Sequence, residues 1–494
     1  MKMEIVFIGK PRWEGGWPYV GYDNEPIKIQ ILEFVNQNFP DIECNPNEMV
    51  TTYNEQIVSK IKENISNSDG LLIYTIGHYG DPGLIQAGVE FIELNKPTIL
   101  ANFVYAGDHT FTKIYATIKG KGYPIYPISS KNIEDVKKPI EILHKLNQIK
   151  GERILIYASD TSDMNWEMVL GLFDPERQTI YKERPEFIDQ IGKMRKEKFE
   201  FYTDLVGFDQ AHQWRKDPKK YSDILKNIFG VEMLVEDAKE IVEYYKKIES
   251  DEEAQKIAEK WVKNANKVEP SEKTILNAAK LYLALKNILK DKGVRFITPD
   301  CGTLLLIGMM PAFPCLPFFE LSNEGLYGTC ESDMDCMISN IFGLNITGRP
   351  GFVSNHTLDL ANNQVTYMHC VAPNKLYGVD GPAANYEIWY HGESNFLGAS
   401  PCVKFPVGEH ATTIKISVFE KKIAIRLGKI VNNVEDKKGC VSKMLVEDDV
   451  NAILENYDWE TFGWHRVTFI GDWKEDFVIA AKLLGLEIVE EDKK

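Results

Sequence analysis

Residues 70–103 read GLLIYTIGHYGDPGLIQAGVEFIELNKPTILANF, and this stretch decides the class of fold. GLLIYTIG (70–77) is a short, unbroken apolar run ending in glycine. Such runs mark strands buried on both faces. KPTILANF (96–103) repeats the pattern, with a helical stretch between. Upstream, MEIVFIG (3–9) is a third strand of the same kind. PIKIQILEFVN (26–36) then spaces Ile27, Ile31, Leu32, Phe34 and Val35 as a helix does, behind Pro26, which suits a first helical turn. Strand–helix alternation predicts a parallel sheet covered on both faces. Ligands gather at the carboxyl ends of such strands, which singles out residues 77–81, His78 among them, and Arg12 with Trp13.

A second unit begins at GERILIYASD (151–160), another apolar strand. Residues 236–267 are rich in Glu and Lys and read as a solvated helical face, and 274–290 as an amphipathic helix. VRFITPDC (294–301) is a strand that delivers polar residues at its end. From about 345 the period changes. TTIKISV (412–418) and KIAIRLGKIV (422–431) alternate with period two, which predicts antiparallel strands in a barrel or sandwich. In the closing stretch Asp472 and Glu475 form a capping-box pattern, Gly485 a helix stop, and 486–489 a last strand.

The 494 residues suit roughly three domains at ~150 each. A net charge of −16 argues against nucleic-acid or anionic-membrane partners, which call for basic patches. The opening MKMEIVFIGKPRWEGGW is too short an apolar run for a signal peptide, and no run approaches the ~20 residues of a membrane span. A cytoplasmic protein is the expectation. Eight scattered cysteines fit reduced thiols, and with no CxxC pair a structural zinc site is not expected.

Residues 328–336, GTCESDMDC, pose the chemical question. Glu331, Asp333 and Asp335 stand at alternate positions between cysteines. An EF-hand is excluded, because Cys336 occupies the glycine position and Phe342 the closing glutamate position. Asp333 and Asp335 fit the N-terminus of a helix running from about 333 to 343. Glu331 follows an apolar stretch and reads as a buried carboxylate, which calls for a cation. Oxygen-rich sites with an imidazole suit Mn²⁺ or Mg²⁺. Candidate imidazoles are His356, His369 and His465, although any one histidine is more often structural.

Residues 314–352, PCLPFFELSNEGLYGTCESDMDCMISNIFGLNITGRPGF, resemble the segment of the L-fucose isomerase and L-arabinose isomerase superfamily that carries its first metal-binding glutamate. NNQVTYMHCVAP (362–373) resembles the following strand, which ends in His-Cys. GWHRVTFIGDWKEDFVIAAKLLGLEIV (463–489) resembles the C-terminal strand–helix–strand led by a metal-ligating histidine. The resemblance implies two Rossmann-like doubly wound parallel-sheet domains, 1–150 and 151–344, the second carrying Glu331. A C-terminal antiparallel, barrel-like domain, 345–494, would carry His465.

The resemblance further implies a metal-dependent aldose–ketose isomerase using Mn²⁺, with Co²⁺ or Mg²⁺ as alternatives, assembled as a homotrimer or homohexamer. Glu331 would be a metal ligand and the proton-transfer base, and His465 a second ligand. Asn355 falls where the family has a ligating carboxylate that is also the partner acid/base. An amide can coordinate a hard cation but cannot exchange a proton near neutral pH. That leaves a water on the metal, His369 or Asp333 to move the hydroxyl proton. His369 falls where the arabinose branch has an additional metal-site histidine. Sugar contacts are expected from Arg12, Trp17, His78, His369 and Trp464. Two other outcomes fit the altered Asn355: a sugar-binding or regulatory relative without turnover, and an epimerase or lyase running related enediolate chemistry on a modified sugar.

Overall fold

The computed structural model describes residues 1–10, 12–13, 17–77, 81–158, 210–248, 251–391 and 397–493. They divide into two compact units, residues 1–150 with 475–488, and residues 151–474 with 489–494.

The first unit is built on five parallel strands, β1 (Lys2–Ile8), β2 (Glu43–Pro46), β3 (Gly70–Thr75), β4 (Thr98–Phe103) and β5 (Ile125–Ser130), in the order β2-β1-β3-β4-β5. Every residue of β3 is buried, as the unbroken apolar run requires. Val6, Ile8, Leu71 and Ile73 pack with Val58, Ile61, Leu84 and Phe91 from the covering helices. The helix Glu55–Ser66 starts where the Asn54 side chain accepts from the N–H groups of Gln56 and Ile57. The helix Pro82–Ile92 starts at Asp81, which accepts from Gly83. Residues 475–488 belong to this unit, and Lys138 ties the returning segment through Glu475 and Asp476 at 2.8 and 2.9 Å.

The second unit opens on four parallel strands, β6 (Arg153–Ala158), β7 (Glu232–Asp237), β8 (Phe296–Pro299) and β9 (Tyr327–Gly328), in the order β9-β8-β6-β7. The chain continues through the buried helix Met334–Thr347 into β10 (Phe352–Asp359) and β11 (Gln364–His369). Next come the hairpin β12 (Tyr386–His391) with β13 (Leu397–Val403), then β14 (His410–Ser417), β15 (Lys422–Asn433), β16 (Ser442–Glu447) and β17 (His465–Ile470). Six of these close an antiparallel barrel in the order β14-β17-β10-β11-β16-β15, with β15 pairing back to β14.

The expected boundary at 344/345 falls inside the helix Met334–Thr347 and does not divide the chain. One core runs from Leu155, Tyr157 and Ile297 beside the parallel sheet to Tyr367, Met444 and Val446 of the barrel. The helix lies close against the barrel at Gly343, where a Cβ would come within 2.0 Å of the Phe469 ring. No described helix is long and apolar enough to cross a membrane.

Candidate metal centre

The segment after β9 is bound to the end of the second parallel sheet. Thr329 N–H donates to the Ile297 carbonyl at 3.0 Å, and Ser332 N–H to the Pro299 carbonyl at 3.0 Å. Between them Glu331 and Ser332 take φ values of +65° and +48°, left-handed backbone that L side chains rarely adopt. The neighbours hold this turn. The Trp214 indole N–H donates to the Ser332 carbonyl at 2.9 Å. Arg215 reaches Ser332 Oγ at 3.2 Å and Asp300 at 2.9 Å. Strain over-determined in this way is characteristic of functional positions. Its result is that the Glu331 side chain is 42% exposed, so the sequence argument from its burial does not hold. The backbone, not the apolar surroundings, sets this carboxylate apart.

Asp333 is buried and saturated. Its carboxylate caps the helix by accepting from Cys336 N–H at 2.8 Å, and takes Lys415 Nζ at 3.0 and 2.9 Å. It also takes the Nδ1–H of His465 at 2.9 Å. Burial alone would raise this acid, but Lys415 and His465 outweigh that and hold it far below the usual carboxylate range. A carboxylate with that many donors has no lone pair to spare for a substrate proton. The role in catalysis expected for Asp333 is therefore corrected to positioning. Because an ionised carboxylate only accepts, His465 carries a proton on Nδ1, and its Nε2 faces Glu331, 3.6 Å away; burial would lower the ring's pKa, but Asp333 and Glu331 outweigh it and raise it. A carboxylate behind a histidine is how proteins orient imidazole ligands.

His369, the last residue of β11, sits beside this pair with its ring centroid 5.5 Å from that of His465. Burial, aided by His465 and His391, pushes its pKa down to about 3, so the ring is neutral and able to ligate. Ligand atoms of Glu331, His369 and His465 all lie within 4.8 Å of one another. Asn355 on β10 is the ladder partner of His465. Its amide N–H faces Cys440 Sγ at 3.7 Å, and its buried Oδ1 has no hydrogen-bond partner.

Asp335 caps nothing but is bound all the same. It accepts from the Tyr221 hydroxyl at 2.7 Å and Val418 N–H at 3.3 Å. Burial, with Asp333 adding and Lys415 opposing, pushes it up to about 6. An unfolded aspartate titrates near ~3.9. The folded form thus holds its proton more tightly, so the stability contribution is complete below ~pH 4 and lost as pH rises through about 6. A shift of about two units corresponds to ~3 kcal/mol. Asp335→Asn should flatten thermal stability between pH 4 and 7 relative to the parent. Parallel profiles for the two proteins would assign the titration elsewhere.

Arg12 lies in a two-residue ladder with Asp23 and is exposed, and Trp17 is exposed; both belong to the first unit. His78 lies outside the described residues. Trp464 precedes His465 with its indole half exposed and its N–H fixed on the His356 carbonyl at 2.8 Å. Sequence reasoning missed Lys415, because a lysine alternating with isoleucines on a strand reads as solvent-facing. Instead it is fully buried beneath the site. No protein-family model matches this chain, and no curated protein matches it.

Proposed function

We propose that this protein is a metal-dependent ketol isomerase of the L-fucose isomerase and L-arabinose isomerase superfamily, acting on an aldose of the L-fucose/D-arabinose or L-arabinose type. The observation that carries this reading is the convergence of Glu331, His369 and His465 from three distant stretches of chain. The Rossmann-like character of both parallel-sheet parts, Mn²⁺ as the preferred ion and a homotrimer or homohexamer belong to the same proposal.

The residues present suit a hard or borderline divalent ion. Glu331, His465 and His369 would hold it, and Asn355 offers an unpartnered buried oxygen beside them. Such an ion supplies charge stabilisation for the oxyanion that develops as a carbonyl becomes an enediolate.

The protein's own groups have separate tasks. Glu331, partly exposed on its left-handed turn, takes the proton from one of the two carbons and returns it to the other. Asp333 fixes the His465 ring, and Lys415 keeps Asp333 ionised. The anchored indole of Trp464 offers an apolar face to the CH side of a sugar. Asn355 cannot move a proton and His369 is engaged as a ligand, so transfer between the two hydroxyls falls to a water at the site. Asn355 also supports a second reading, a sugar-binding relative without turnover. The experiment is an assay for ketose with L-fucose, D-arabinose and L-arabinose, with Mn²⁺ and with EDTA. Mn²⁺-dependent ketose supports the isomerase. Sugar binding with no product from any aldose supports the second reading.

A further inference from the structure

Behind the proposed isomerase centre lies a second set of donors with different chemistry. Cys315 opens the helix Cys315–Asn323, Cys370 follows β11, and His391 ends β12. The three side chains are buried, and their ligand atoms all lie within 4.8 Å of one another. A further donor stands beside Cys315. The Ser400 hydroxyl on β13 is fully buried and makes no hydrogen bond of good geometry, yet it lies beside the Cys315 thiol, where it partly opposes the upward push of Cys370 and burial on that thiol's pKa. The Phe313 ring, 5.5 Å from that of His391, packs against the imidazole.

We infer that Cys315, Cys370 and His391 form a soft-metal site for Zn²⁺ or a similar ion, with the Ser400 hydroxyl at the fourth position. Two thiolates balance the charge of a divalent ion, which removes the electrostatic objection to burying it. Tetrahedral zinc with bonds of about 2.3 Å to sulfur holds its sulfurs roughly 3.8 Å apart, so these donors need only small rotations to close on it. Binding must expel both thiol protons. The cysteines come from separate elements, which is why the lack of a CxxC pair concealed the site. A neighbouring triad, Cys330, His369 and Cys370, shares Cys370. Its Cys330 also meets the buried Cys301 thiol, but its histidine faces Glu331 and His465 and is committed to the centre proposed above.

Cobalt distinguishes the possibilities. Metal-free full-length protein titrated with Co²⁺ should develop a near-ultraviolet thiolate charge-transfer band and strong tetrahedral visible bands. Both should be displaced by one equivalent of Zn²⁺. Cys315→Ser and Cys370→Ser should each remove about half of the charge-transfer intensity, and His391→Asn should shift the visible bands. Glu331→Gln and Cys330→Ser should leave the thiolate band intact, which separates this site from the isomerase centre. X-ray absorption of the Zn²⁺-loaded parent should show two sulfur neighbours and needs no variant. The inference is overturned by a saturated Co²⁺ form without thiolate charge transfer, by oxygen and nitrogen neighbours alone, or by a band that survives Cys315→Ser and disappears in Cys330→Ser.

Discussion

Glu331→Gln is expected to lower kcat/KM for aldose–ketose interconversion by ~10²–10⁴-fold, the usual worth of a positioned general base. That corresponds to ~3–5 kcal/mol of transition-state stabilisation. The amide preserves size and can still offer an oxygen to a cation, but it cannot carry a proton between two carbons. Because the side chain is 42% exposed, the neutral replacement should cost little stability, so thermal unfolding should barely move while turnover collapses. Steady-state kinetics beside a melting curve check both halves. Turnover within a few-fold of the parent would remove Glu331 from the chemistry.

The second large effect lies inside the barrel and concerns stability. Arg426 and Arg466 are fully buried, and Glu491 is the carboxylate that meets both. Arg466 donates to it at 2.7 and 3.3 Å, and Arg426 stands 3.7 Å away with its guanidinium over the Tyr367 ring. Burial alone would raise the Glu491 acid, but the two arginines outweigh it and hold it below the usual range. Removing one partner of a buried ion pair leaves charge uncompensated where water cannot reach it, at a typical cost of ~3–5 kcal/mol. Glu491→Gln should therefore lower the urea midpoint of the barrel-containing unit substantially. The nitrogens of Arg426 make no hydrogen bond of their own, and Asp448 is the carboxylate left to offset part of the loss. A change below ~1 kcal/mol, the scale of a surface ion pair, would show that water reaches the cluster.

Much of this fold is legible because period and burial coincide. GLLIYTIG and KPTILANF are unbroken apolar runs, and β3 and β4 are covered on both faces. TTIKISV and KIAIRLGKIV alternate, and they form adjacent barrel strands. The barrel interior was not legible for the same reason. Period two assigns polar residues to water, but a closed six-stranded barrel and the buried helix beside it leave Lys415, Arg426 and Arg466 without any. These residues are recognised only once their partners Asp333 and Glu491, distant in sequence, are seen beside them.

At the site, the resemblance singled out Glu331, His369 and His465, which do converge. The exposure of Glu331 did not follow, because two consecutive left-handed residues, neither of them glycine, override the apolar context. Asp333 was assigned to the chemistry because sequence alone does not reveal that three donors already occupy it.

The most direct test of the central claim is solvent exchange. Protein with Mn²⁺ is incubated with L-fucose, D-arabinose and L-arabinose in D₂O, and the proton at C2 is followed by NMR. Abstraction of that proton by a carboxylate predicts its replacement by deuterium for at least one sugar, abolished by EDTA and by Glu331→Gln. No exchange with any of the three sugars, in protein shown to hold its metal and to bind sugar, would contradict enediolate chemistry at Glu331.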